Sequence, residues 1–307
     1  MKKNKLLIVL SVFVITTGFS QTKPKEKFTN QIDFSKAPKR TNNEYPLFDQ
    51  ENKNKWVLSV LMSDEFDKKS LDTKKWHPNN PGWKGRQPTY FHGSNVSLRG
   101  GELVFKINQH NKEEVLPEGY THTAGFIKSK QKVLYGYFEA EMKLMNDTWV
   151  SGFWASLGTK DWWTELDFCE NSPATRNQQN DLNSNIHVFR SPEKYGGVKE
   201  HFSRNKKYKV PFSLQDDYHV WGIEWDEEFI RFYIDGVLFR EAENTHWYQP
   251  LEINFNNESN KWFGALPSEK SKLNEEFKVK YFRYWSKGKP LEKRSKEYAE
   301  VYYGVSK

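Results

Sequence analysis

The sequence predicts an all-β sandwich or barrel, and three observations carry that prediction. Past residue 55 the chain is a succession of short apolar or alternating runs, separated by turn residues. No run keeps a 3.6-residue apolar period long enough to make a helix. The runs also fill one unbroken stretch, Trp56 to Trp285, of a length usual for a single all-β domain.

The elements follow in order. Residues 56–62 open the series, then 95–98 and 102–107, with Arg99-Gly100-Gly101 as the turn between the last two. Residues 126–130 and 133–144 come next. In the second of these Phe138, Ala140, Met142 and Leu144 share one face and Glu139, Glu141 and Lys143 the other, the alternation of a half-buried strand. Runs at 149–157, 163–170, 184–189, 218–225, 229–234, 251–255 and 277–285 complete the set. Asp226-Glu227-Glu228 and Asp235-Gly236 are turn signals between strands. There is no internal repeat.

The flanks differ in texture. Lys2, Lys3 and Lys5 precede an apolar stretch at 6–17, and Gly18-Phe19-Ser20 places small residues before a cut at Gln21. Residues 1–20 are therefore expected to be a secretory signal peptide, which puts the mature protein in the periplasm or the medium. Its removal takes away three lysines and no acid, so the formal charge falls from +7 to +4. Residues 21–55, rich in Lys, Asn, Thr and Pro, are expected as a surface leader or linker, and 286–307 as a basic tail.

Composition narrows the function classes. A single cysteine excludes a disulfide framework and any Cys-based zinc or iron–sulfur site. No segment past the N-terminus has 18 consecutive apolar residues, so no helical membrane span is expected. Aromatics reach 16%, a load that implies a surface for something flat and amphipathic.

The sharpest feature is Glu165-Leu166-Asp167-Phe168-Cys169-Glu170. In a strand Glu165 and Asp167 project to one face. Glu170 would face the other way unless one β-bulge near Phe168-Cys169 turned it back, and bulges are frequent beside active sites. Three acids on one face repel one another. The arrangement makes sense where their pKa values are driven apart for acid/base work. With the bulge, Glu165 and Glu170 are about four strand steps apart, ~13 Å between Cα atoms, which leaves ~5 Å between inward-leaning carboxyls. That is the gap of a retaining glycosidase, whereas an inverting one needs room for a water. Other readings of the acids are a solvated strand face or a calcium site. Phe153, Trp154, Trp162, Trp163 and Phe168 crowd the motif, and tryptophan faces stack well on pyranose rings. Cys169, at the bulge, is read as a small buried hydrophobe, and Trp221 and Trp225 as packing residues.

At many ordered places the chain resembles glycoside hydrolase family 16. These are Ser63-Asp64-Glu65-Phe66-Asp67, Leu71-Asp72, Trp76, the stretches 125–130, 135–140 and 152–155, the acid motif, and 219–225 and 232–236. The resemblance implies a β-jelly-roll sandwich of two antiparallel sheets with a concave substrate cleft. It implies Glu165 as nucleophile, Asp167 as its assistant and Glu170 as general acid/base, with no cofactor for catalysis. His187 falls where members acting on algal galactans carry a cleft histidine. The loop around Trp83-Lys84-Gly85-Arg86 resembles that of the porphyranases, with Trp83 stacking on sugar and Arg86 meeting a sulfate through its planar fork. Trp154, Trp163 and Asn254 are further expected substrate contacts. One position departs: porphyranases carry an Arg two residues after the cleft Trp, and here that residue is Ser156. Arg190 or Arg204 is then the substitute. Asp64 and Asp235 are candidates for a structural calcium site on the convex face, which some members have.

The resemblance thus implies a monomeric, exported endo-hydrolase of a sulfated red-algal galactan, porphyran first, with furcellaran or another carrageenan and neutral agarose as alternatives. No nucleic-acid or membrane partner is expected. A non-catalytic, lectin-like binding module is the alternative of another class, against which the acid trio argues.

Overall fold

The computed structural model describes residues 25–28, 32–110, 115–175, 178–264 and 273–288. Of the expected basic tail at 286–307, Ser286 and Lys287 belong instead to the last strand, paired with Val57 and Trp56, while the tail from residue 289 and the expected signal peptide lie outside the described residues. Strands in the first half are β1 (Glu26–Phe28), β2 (Trp56–Leu58), β3 (Trp76–His77), β4 (Thr89–Phe91), β5 (Val96–Leu98), β6 (Leu103–Phe105), β7 (Asn108–Gln109), β8 (His122–Ala124), β9 (Phe126–Val133) and β10 (Gly136–Lys143). The second half adds β11 (Val150–Gly158), β12 (Trp163–Asn171), β13 (Asp181–Arg190), β14 (Phe202–Ser203), β15 (Lys206–Lys209), β16 (His219–Trp225), β17 (Phe229–Ile234), β18 (Val237–Glu243), β19 (Leu251–Glu258) and β20 (Phe277–Lys287).

Two antiparallel sheets make the sandwich. The outer, convex one runs β1-β18-β17-β16-β10-β20-β6-β5, with β2 also on β20. The inner, concave one runs β14-β13-β12-β11-β19-β9-β3, with β15 on β13. Inward side chains of both fill one continuous core. Phe153 of β11 stacks on Phe255 of β19 at 4.5 Å and meets Phe168 of β12 edge-on, also at 4.5 Å. Phe282 of the outer sheet closes the other side at 6.0 Å. Truncating Phe153 to Ala would cost about 3–5 kcal/mol, because ring contacts on every side would be lost together.

Two expectations change. The run at 133–144 is not one strand. Tyr135 at φ 66° and Gly136 at φ 114° turn the chain from the inner sheet into the outer one, and a Cβ on Gly136 would sit 2.5 Å from the Trp285 carbonyl oxygen. Alternation within 136–143 holds, with Phe138, Ala140 and Met142 in the core. Its polar face, however, is not open to solvent. Glu139 is buried beneath residues 40–47, accepts from the Leu47 N–H at 2.9 Å, and pairs with Arg40. So residues 40–47 of the segment expected as a surface leader are docked on the outer sheet. The segment's first strand matters as well. Glu26 of β1 binds Arg240 Nη2 at 2.9 Å, and that guanidinium is wholly buried between the sheets. An internal charge needs such a partner, which composition cannot reveal.

Candidate active site

Strand β12 carries the acids. Against β11, Phe153 pairs with Cys169 but Trp154 pairs with Asp167, so Phe168 is the extra residue of a bulge. The consequence is the one the spacing implied: Glu165, Asp167 and Glu170 lie opposite Ser156, Trp154 and Gly152, alternate residues of β11 on its concave face. Glu165 and Glu170 are thus four β11 positions apart, or ~13 Å of strand. Cys169 is fully buried, and burial raises its thiol pKa well above the ordinary value.

Cross-strand rows build the floor. One runs Glu252-Ser156-Glu165-His187, the next Asn254-Trp154-Asp167-Asn185, and the third reaches from Asn256 through Gly152 to Glu170. Gly152 has to be small: a Cβ there would lie 2.5 Å from Asn256 Oδ1. That oxygen accepts from Trp154 Nε1 at 2.8 Å and fixes the indole. Trp163 Nε1 donates to Ser156 Oγ at 3.2 Å, and Ser156 in turn hydrogen-bonds Glu165.

Crowding sets the electrostatics. Burial first, then repulsion from Asp167, pushes Glu165 up to about 8, against the opposing pull of His187, Ser156 and Arg86. Burial and repulsion from Asp167 and Glu165 raise Glu170 too, and burial raises Asp167 against the distant pull of Arg240. All three carboxyls are thus raised in the same direction rather than driven apart, and retaining chemistry uses the state in which Glu165 is ionised while Glu170 keeps its proton. His187 Nε2 lies 3.0 Å from Asp167 Oδ2 and 4.0 Å from Glu165 Oε1. An imidazole within this group suits a calcium ion poorly, since hard cations take oxygen ligands.

The Trp83–Arg86 loop is drawn over the end of β19. The Arg86 carbonyl accepts from Thr89 N and Oγ1 and from Ser259 Oγ, at 2.8, 2.9 and 3.2 Å. Trp83 packs edge-on to Phe91 and Trp154, at 4.9 and 6.4 Å. The Arg86 guanidinium lies over Trp262 at 4.7 Å and Trp83 at 5.6 Å, with its Nε 3.4 Å from Glu258 Oε2. Glu258 is 4% exposed, and burial, offset by Arg86, raises it to about 7. Asn260 Nδ2 donates to Glu170 Oε1 at 3.3 Å.

The structure therefore gathers Glu165, Asp167, Glu170, Trp83, Arg86, Trp154, Trp163 and His187 about one concave face. Asn254 is in its floor but covered, 1% exposed, with Nδ2 donated to the Glu252 carbonyl. Of the two substitute arginines, Arg190 stacks over Trp163 at 5.2 Å, whereas Arg204 is turned toward Glu26 at 3.9 Å. The structure does not bring Asp64 and Asp235 together. Asp64 accepts from Phe66 N and Trp76 Nε1, Asp235 accepts from Val220 N and meets His219 Nδ1, and the sheet separates them. Sequence reasoning missed Glu258, Asn260, Trp262 and His201. The only sequence signal available for the first three was their nearness to a strand end rich in Asn.

Comparison with known proteins places this geometry. The family described as "Beta-porphyranase A-D, GH16 domain" matches residues 56–286. β-Porphyranase B of Zobellia galactanivorans is 30% identical over 256 residues, 76% of this chain and 79% of that protein. β-Porphyranase B of Phocaeicola plebeius is 26% identical, over 79% of this chain and 90% of that one. The crystal structure of the Zobellia porphyranase B superposes with a TM-score of 0.68 at 27% identity, covering 82% of this chain and 99% of that one.

Proposed function

We propose a specific reaction for this chain, which belongs to glycoside hydrolase family 16 and, within it, to the β-porphyranase A–D group. The chain is a glycosidase. In our reading it is a retaining endo-hydrolase that cuts β-linkages in a sulfated red-algal galactan, porphyran first. One observation carries it: the Phe168 bulge turns Glu165, Asp167 and Glu170 onto a single face of a tryptophan-walled cleft.

The steps follow from that geometry. Glu165 attacks the anomeric carbon while Glu170 protonates the departing glycosidic oxygen. Water, deprotonated by Glu170, then releases the sugar from Glu165. Asp167 lies between them, and its charge controls both. The reaction needs no cofactor, because the carboxyls supply nucleophile and proton. Trp83, Trp154 and Trp163 stack on sugar rings, and Arg86 meets a sulfate. Residues 1–20 export the enzyme to the periplasm or the medium, where it acts as a monomer.

Glu258 favours a second reading. It already counters the Arg86 charge, and Ser156 replaces an expected arginine, so a less sulfated, agar-type galactan would also fit. A digestion panel of porphyran, furcellaran, κ-carrageenan and agarose, with product sizing, decides between them. Under the first reading porphyran is cut fastest and agarose slowest. NMR of the first product should show the β-anomer before mutarotation; an initial α-anomer refutes double displacement.

A further inference from the structure

We propose that His201 is a positioning residue for this reaction: it accepts the Nδ1 proton of His187 and so leaves His187 Nε2 as the unprotonated nitrogen facing Asp167. The inference rests on the retaining-hydrolase reading for its kinetic consequence, but not for its structural part.

The contacts fix the proton positions. His187 Nδ1 and His201 Nε2 are 2.9 Å apart, so one proton lies between them. Which ring owns it depends on Asn185. The Asn185 Oδ1 atom accepts from the Ile186 N–H at 2.9 Å, which turns its Nδ2 toward His187 Nε2, 2.8 Å away. An amide N–H there needs a lone pair on Nε2. The neutral His187 proton must then be on Nδ1, donated to His201. This is the less common tautomer of a free imidazole, and it needs an acceptor at that place.

His201 is exposed at its outer edge and stacked, nearly coplanar, on Phe189 at 4.3 Å. The acids Glu165, Asp167 and Glu170 face His187 from β12, and His201 faces it from the segment before β14. His187 Nε2, its lone pair taken by Asn185 Nδ2, lies 3.0 Å from Asp167 Oδ2 with no hydrogen bond between them. In the other tautomer an Nε2–H would face Asn185 Nδ2 and lie beside the Asp167 carboxyl, so the tautomer that His201 selects sets the charge that Asp167 meets.

The test is ¹⁵N NMR of His187 at pH 9 in the full chain, with His201→Phe and His201→Gln as variants. Phe keeps the stacked ring and removes the acceptor, whereas Gln keeps an acceptor oxygen. The wild-type ring should carry its proton on Nδ1, His201→Phe should move it to Nε2, and His201→Gln should keep it on Nδ1. In kinetics His201→Phe should lower kcat about five- to tenfold, the worth of one hydrogen bond, with KM within about twofold. Its pH profile should also shift, and His201→Gln should restore most of the rate. A wild-type Nε2–H tautomer, or one unchanged in His201→Phe, overturns the proposal. So does an unshifted pH profile. If the wild-type chain cuts no galactan, the hydrolase reading fails while the tautomer measurement still decides the role of His201.

Discussion

Neutralising Glu165 should abolish turnover and stabilise the fold, and the second effect should depend on pH. Glu165 is raised from 4.5 to about 8, chiefly by burial and by Asp167. A carboxyl shifted this way favours the folded state fully below 4.5, where it is protonated in both states, and that advantage is lost as pH rises through about 8. Across the whole gap the loss is on the order of 5 kcal/mol. Neighbouring acids relax when one is removed, and the side chain keeps 17% of its surface in solvent, so about 2 kcal/mol is the working figure. For a domain of this size that is a rise in Tm of about 4–8 °C. Calorimetry of Glu165→Gln should show this gain at pH 8.5 and nearly none at pH 5, beside a loss of at least about 10³ in kcat. Glu170→Gln should behave alike, since burial and both other acids raise it. A fall in Tm, or a gain equal at both pH values, would mean that the carboxylates hold the strand together. Near-normal turnover would remove Glu165 from the reaction.

Three further outcomes test the surrounding site. Arg86→Ala should cost one to two orders of magnitude in kcat/KM on the sulfated polymer, from a charge-assisted contact of about 1.5–3 kcal/mol, and far less on the desulfated one; equal losses would make Arg86 only the partner of Glu258. Gly152→Ala places a Cβ 2.5 Å from Asn256 Oδ1 and should displace Trp154, raising KM while stability falls by about 1–3 kcal/mol; an unchanged KM would free Trp154 from the substrate. Glu26→Ala removes a carboxylate from the buried Arg240 and should lower the denaturation free energy by about 3 kcal/mol, read from urea midpoints, with kcat unaltered in the folded fraction.

Much of the site was legible because strand alternation is a local property. Glu165 and Asp167 share a face by period two alone, and the odd spacing of Glu170 announced its own bulge. Packing residues were equally plain: Trp221 and Trp225 are 1% exposed in the core. The leader was misjudged for a physical reason. Its residues are polar, and polarity reads as solvation unless the buried partner is known; here the partners are Glu139 and Arg240, far along the chain.

What the sequence determined by itself is the set of short-range choices: strand, bulge, turn, and which side chains face together. Tertiary structure decided everything that depends on which strands are neighbours. Glu26 and Arg240 are 214 positions apart, Arg86 and Ser259 are 173, and His187 meets His201 only because the segment before β14 returns along β13. Hydrogen bonding and charge act over a few ångströms. The groups that tune the three carboxyls are therefore chosen by sheet order, to which a period-two pattern is blind.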